Sequence, residues 1–236
     1  TFMGNRLEHI KPLFNMIKSW EDKLRHNAKM FLGIDDGLML PHAVDDRCTC
    51  MGGFWTGSID HGSTAWVAHL MWLYYKYSMD DDFLREYAYP FMKGAMRVYE
   101  EMLERKGDEL SLPVSVSPEY NGASMNAWGK NASFQLSLIH FLCRALCEAS
   151  EILEINEGIE KWEEIDQLLP DASIIHNRIA LWEGQDLEYS HRHHSHLAGI
   201  YPFDTLEYEM DGKHYDIVQN SIMHWIRQGM GQWSGW

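Results

Sequence analysis

No run of 18 or more apolar residues occurs in this sequence, so no segment is long enough to cross a bilayer as a helix. Basic residues are scarce: 20 Lys and Arg stand against 35 Asp and Glu, a net charge of −15. That balance excludes a nucleic-acid groove, which needs a basic patch, and argues against docking on an anionic membrane. Cysteine is limited to Cys48, Cys50, Cys143 and Cys147, and neither pair has a common zinc spacing. Cys143 and Cys147 sit four apart in a helical stretch and read as small buried residues. There is no HExxH motif, no repeat of fixed period and no linker. Residues 1–236 therefore read as a single domain, or a piece of one. The chain opens at Thr1 without a start methionine and stops at Trp236 inside a Gly/Trp-rich stretch, which leads us to expect a fragment.

What is present is apolar and aromatic. Hydrophobic residues make up 45% of the chain, enough for a packed core. The 10 Trp and 11 Tyr serve either as core or as platforms for the apolar faces of sugar rings. Helical periodicity dominates. Leu13, Ile17, Trp20 and Leu24 form one stripe; Trp66, Leu70, Leu73, Tyr74 and Tyr77 form another, with Ser63 or Thr64 as its cap. Asp80–Asp82 announces a further helical segment that Pro90 splits, with a longer helix running to about Lys106. Phe134–Ala149, Trp162–Leu169 and Val218–Ile226 carry the remaining stripes. Between them lie long polar, glycine-bearing segments, and Leu110–Ser117 alternates like a short strand. Loops of that length between packed helices are uncommon unless they have a function.

Four segments carry residues suited to chemistry. Ser190–His196 holds four histidines and an arginine within seven residues. As a metal site its spacing is poor, and Arg192 at its centre opposes a dication. It reads otherwise as a polar turn of hydrogen-bonded histidines or as a sugar site, because imidazole and guanidinium donors match hydroxyl groups. Val114–Asn121 places Glu119 after a proline at the end of an extended run. A partly desolvated Glu there, shielded by Tyr120, has a raised pKa and stays protonated to serve as a general acid; the alternative is a solvated surface carboxylate. Gly229–Trp236 is glycine-rich with two tryptophans, suited either to close approach of a ligand or to ending a helix. Asp60–Trp66, with His69 one turn on, sets a helix N-terminus beside an indole; its free N–H groups suit hydroxyls or an anion, and core packing accounts for His69 equally well.

Taken together, these segments resemble glycoside hydrolase family 95, the inverting α-L-fucosidases and related α-L-galactosidases. Glu8–Phe14 is similar to the family's E-x-H-x-P-L-F helix. Ala65–Leu70 is similar to its A-W-L-x-x-H-L segment, followed by Asp82-Phe83-Leu84 and Tyr89-Pro90. Ser117-Pro118-Glu119 resembles its S-P-E. The run His191–Leu197 with Gly199–Pro202 resembles H-R-H-x-S-H-L-x-G-x-Y-P. The resemblance implies an all-α fold, part of an (α/α)6 toroid, since roughly seven helices are read from periodicity. It implies that residues 1–236 are the central to C-terminal part of the catalytic domain. It further implies an inverting hydrolase of a terminal α-linked, fucose- or galactose-like sugar, with Glu119 as general acid. Arg192, His193 and, with less support, Trp66 are the implied sugar contacts, and His191, His194 and His196 brace the loop. No cofactor or metal is implied, and the expected partner is an oligosaccharide or polysaccharide met outside the cytoplasm. The alternatives are a polysaccharide lyase on the same toroid, using Tyr120, His193 and Arg192, or a glycan-binding protein without activity.

Three departures accompany the resemblance. The family's Asn-x-Asn stretch, which helps position the attacking water, falls before Thr1. The aspartate that precedes its final G-W-S has no counterpart in Gly229–Ser234, which contains no Asp or Glu. Asn131–Phe134 stands where the family has T-M-D. Asp60, Asp186 and Glu188 are the carboxylates left as choices for holding the water.

Overall fold

The computed structural model describes residues 1–51, 55–210 and 212–229. In chain order its helices are α1 (Lys11–Ser19), α2 (Glu21–Leu32), α3 (Trp55–Ile59), α4 (Gly62–Ser78), α5 (Asp81–Phe83), α6 (Tyr89–Met102), α7 (Ser133–Leu153), α8 (Ile159–Leu168) and α9 (Tyr215–Arg227). Among the described residues the strands form only two antiparallel pairs, β1 (Glu104–Lys106) with β2 (Glu109–Ser111) and β3 (Ile174–Ile175) with β4 (Arg178–Ile179). The chain is all-α in class, as expected for part of a helical toroid.

Two compact units can be distinguished. The first comprises Thr1–Gly52, His61–Glu101 and Leu142–Asp166; the second comprises Gly53–Asp60, Met102–Phe141 and Gln167–Trp236.

In the first unit the expected stripe through Leu24 is real but is carried by two helices. Ile17, Trp20 and Leu24 are buried, but Leu13 is only half-buried and Phe14 takes its place in the core. The chain breaks at Trp20, whose backbone leaves the helical region (φ −98°, ψ 2°), and the acidic pair Glu21 and Asp22 then occupies the first turn of α2, where the helix dipole favours negative charge. Gly33 closes α2 in the left-handed conformation (φ 78°), donating its N–H to the Lys29 carbonyl.

Helix α4 starts earlier than the sequence pattern indicates. His61, not Ser63 or Thr64, occupies the cap position, and the Thr64 hydroxyl instead accepts the N–H of Leu40 at 2.8 Å. Its buried face is Ala65, Ala68, Met71, Trp72 and Tyr75, whereas Trp66 and Tyr77 are exposed. This helix is apolar almost all round, so periodicity alone does not choose the inward face.

Asp80 caps α5 as anticipated, accepting the N–H of Phe83 at 3.0 Å. Pro90 does not split the segment. A π-helical turn over Leu84–Ala88 leads into α6, and Pro90 falls in the first turn of that helix, where its missing N–H costs least. Helix α6 ends at Met102 rather than near Lys106, because Glu104–Lys106 is drawn into pairing with Glu109–Ser111 around Gly107 (φ 63°).

In the second unit the start of α7 is fixed by side-chain bonds rather than by its sequence pattern alone. The Ser133 hydroxyl donates to the Ala180 carbonyl at 2.7 Å and accepts the Ser173 N–H at 3.0 Å. Helix α9 packs Val218 with Ile179 and Leu206, and Ser221 donates to the Ile217 carbonyl while accepting the Ile179 N–H. A separate buried cluster of Tyr120, Ala132, Leu181, Trp182 and Leu187 lies under the loop that carries Glu119, with Trp225 of α9 packed against it. Gly129 makes that packing feasible: a Cβ there would lie 2.0 Å from the Trp182 ring.

A carboxylate held by arginine and histidine

Glu119, Arg192 and His193 meet in the second unit. Arg192 donates from Nη2 to Glu119 Oε2, and His193 Nε2 lies 3.0 Å from the same oxygen. Seventy-three residues separate Glu119 from Arg192, so the contact is wholly tertiary.

Two loops make this contact, and each is built for it locally. Glu119 adopts a left-handed backbone (φ 62°), as do Asn121 (φ 61°) and Gly122 (φ 57°). A left-handed glutamate costs about 1 kcal/mol or more, so surrounding structure must hold it. Tyr120 supplies that hold. It is 1% exposed, its hydroxyl accepts the Glu188 N–H at 3.0 Å, and its ring stacks on Tyr189 with centroids 4.6 Å apart. Its edge meets Trp182 and His191. Ser117, two residues before Glu119, shares a 2.5 Å hydrogen bond with Ser195, tying the two loops together directly.

The histidine segment divides by environment. His191 is buried, contacts Tyr120 and accepts the His193 N–H on Nδ1 at 3.2 Å. His194 sets its ring against Trp225 of α9 at 4.6 Å. Ser195–Leu197 forms a short 3-10 turn that buries His196. Ser190 donates to the Gly229 carbonyl at 2.7 Å, anchoring the entry to the segment on the residues after α9. Arg192 is exposed and His193 half-buried, both aimed at Glu119.

Electrostatics correct one expectation from the sequence. Burial raises the Glu119 pKa, but the hydrogen bonds and charges of Arg192 and His193 outweigh it and hold the carboxyl below its usual range. Beside these two groups Glu119 is therefore an ionised partner of Arg192, not a protonated acid. Burial pushes the Tyr120 phenol up to about 12.

Burial lowers the His191 pKa, against the backbone hydrogen bond with His193, and drives His196 down to about 3. Both depressed values make the neutral imidazole the stable form. The folded pKa of His196 lies below the unfolded value near 6.5, so its contribution to stability is complete above about pH 6.5 and is lost as pH falls towards 3. Thermal denaturation of the intact protein should show a melting temperature that declines through this window. His196→Gln should flatten the decline at a cost in stability at neutral pH; a decline of unchanged steepness would remove His196 as its source.

The other expected residues fall as follows. Trp66 lies on α4 of the first unit with 38% of its surface exposed, and His69 on the same helix is buried, its pKa lowered to about 4 by burial. Asp60 is buried and accepts from Gln135 Nε2 at 3.4 Å, while the other end of that amide accepts the Val116 N–H. Asp186 is committed to Arg178, to the Leu187 N–H at 2.8 Å and, at 3.7 Å, to His224. Burial raises its pKa, but those partners outweigh it and keep it ionised. That makes Asp186 a brace between β4 and α9. Glu188 is exposed. Of the Gly/Trp-rich segment only Gly229 is described, and Met230–Trp236 lies outside the described residues. Among the described residues no group of three His, Cys, Asp or Glu is arranged to hold a metal ion.

No pattern in the sequence pairs Ser117 with Ser195 or marks Tyr189, Asn121 or Trp55 for a site. The serines lie inside the two motifs and were legible as positions, but their pairing was not. Tyr189 carries no local signal at all.

A loop pair that offers a carboxyl, a guanidinium and an imidazole at one point, with aromatic rings alongside, presents donors and acceptors that match hydroxyl groups and ring faces that match apolar ones. Residues 3–236 match the glycosyl hydrolase family 95 catalytic domain, and the chain belongs to that family. It is also similar to alpha-L-fucosidase 2 of Arabidopsis thaliana, at 27% identity over 99% of this chain. The chain spans 29% of the length of that relative.

Proposed function

We propose that the protein hydrolyses a terminal α-linked, fucose- or galactose-like sugar with inversion, and that residues 1–236 are the central to C-terminal part of one catalytic domain. The observation that carries this reading is the meeting of Glu119 with Arg192 and His193. Glu119 is the general acid: it protonates the glycosidic oxygen while water attacks the opposite face of the ring. Arg192 and His193 bind sugar hydroxyls, and Trp66 is a further sugar contact. The Arabidopsis relative's name is the support for a fucose-like substrate.

The resting ion pair fits this role. An arriving sugar offers its hydroxyls to Arg192 and His193 and draws their donors off the carboxylate. Burial then dominates at Glu119, and the carboxyl takes up the proton it must deliver. Binding and protonation are thereby coupled, and water alone does not arm the acid.

The experiment is to incubate the intact protein with α-L-fucosyl and α-L-galactosyl oligosaccharides and follow the first product by proton NMR. The expected product is the free sugar appearing first as its β-anomer. Initial release of the α-anomer would overturn inversion, an unsaturated uronate released from a uronate-containing polysaccharide assayed alongside would indicate a lyase, and tight binding without turnover would leave a glycan-binding protein.

A further inference from the structure

We propose that Tyr189, together with Trp55, forms the subsite for the leaving-group sugar, receiving the apolar face of a pyranose ring beside Glu119. This inference rests on the assignment of Glu119 as the acid.

Both rings are exposed, Tyr189 by 39% and Trp55 by 36%. One face of Tyr189 is covered by Tyr120, the residue after Glu119, with the rings 8° from parallel. Its accessible surface therefore belongs to the remaining face and edge. Its hydroxyl is locked from two directions, accepting the Asn121 N–H and donating to Asn121 Oδ1, both at 3.1 Å. Trp55 donates from Nε1 to the Ala123 carbonyl at 2.9 Å, and its neighbour Thr56 donates to the Gly122 carbonyl at 3.2 Å. Two exposed aromatic side chains from distant parts of the sequence are thus fastened to one short stretch, Tyr189 to Asn121 and Trp55 to Ala123, beginning two residues beyond the acid.

Chemistry decides what such a platform holds. The acid's proton goes to the glycosidic oxygen, and the oxygen departs on the leaving group as a hydroxyl. Arg192 and His193 hold the carboxylate itself, whereas Tyr189 and Trp55 are fastened to the residues that follow it, and the leaving-group side is the one assigned to these two rings. A ring held at its hydroxyl or indole nitrogen has already lost its rotamer freedom, so stacking a sugar on it costs little further entropy. An apolar pyranose face is the ligand that an exposed, immobilised aromatic ring suits.

The test compares an oligosaccharide with the glycosyl fluoride of the same terminal sugar, which has no leaving-group ring and needs little protonation. In the intact protein, Tyr189→Ala and Trp55→Ala should each lower kcat/KM for the oligosaccharide about fivefold to tenfold more than for the fluoride. Tyr189→Phe, which keeps the ring and loses the lock, should recover most of the difference. Melting temperatures monitor folding, and Tyr189→Leu replaces Tyr189→Ala if the latter fails to fold. Equal losses on both substrates, or no loss on either, would overturn the subsite. Failure of the acid assignment looks different: Glu119→Gln would then leave oligosaccharide hydrolysis at the wild-type rate whatever Tyr189 does.

Discussion

Glu119→Gln in the intact protein should slow hydrolysis of a natural glycan by about 10²–10⁴-fold, the range for loss of a positioned general acid. The amide keeps the size of the side chain and can still accept from Arg192 with its oxygen, so the two loops should remain docked. What is lost is the proton. The loss should therefore scale with how badly the leaving group needs one. A natural glycan leaves as a poor alkoxide and should show the full effect. The glycosyl fluoride should show a much smaller one. Steady-state kinetics on both substrates, with the melting temperature as a control, checks this. An equal loss on both would assign Glu119 to holding the loops together through Arg192, and an unchanged glycan rate would remove it from the reaction.

Arg192→Ala has two separable consequences. The first is loss of a charged hydrogen bond to the sugar, which should reduce kcat/KM at neutral pH by about 10–10²-fold. The second concerns pH. In the free protein Glu119 is flanked by Arg192 and His193, with His191 close by, and the hydrogen bonds and charges of Arg192 and His193 outweigh burial to hold its pKa down. Removing Arg192 leaves burial less opposed, so the pKa rises. Because kcat/KM reports the free enzyme, its high-pH limb should move to higher pH in the variant. Arg192→Lys keeps the positive charge but loses the planar fork, so its limb should move less while the loss of sugar binding persists. A limb that stays in place in Arg192→Ala would show that the ion pair does not control the acid. The same pairing has a stability side. A carboxyl with a depressed folded pKa contributes stability above its unfolded value, and that contribution is lost as pH falls through the folded one.

The helices illustrate how legible this fold was. Helices α8 and α9 are placed closely by their apolar periodicity, because each has one apolar face, and α7 by its long apolar run, although its residues from Ser133 to Cys143 are buried on every side. Helix α4 could be found but not oriented, since an almost uniformly apolar helix has no preferred face in one dimension. Its cap was misplaced because Thr64 is used to satisfy the Leu40 N–H, a bond 24 residues away in sequence. The end of α6 was overrun because strand pairing with Glu109–Ser111 competes with helix propensity, and only the folded chain decides that contest.

The site divides in the same way. The ordered motifs around Glu119 and His191–His196 are local in sequence, and their order and spacing alone pointed to the family. Side-chain chemistry also limited the partners: a net charge of −15 leaves little for phosphate to bind. The sequence by itself could not decide the state of Glu119. From the proline and tyrosine around it a desolvated, protonated carboxyl was the natural expectation, and burial does act in that direction. The tertiary structure brings Arg192 and His193 across from a loop more than 70 residues away and reverses the sign. It likewise turns Tyr189 from an unremarked residue into one locked against the acid's own loop. The physical reason is the same in both cases. Periodicity and motif are properties of neighbours along the chain, whereas a pKa and a platform depend on which charges and rings lie within a few ångströms, and folding alone sets that.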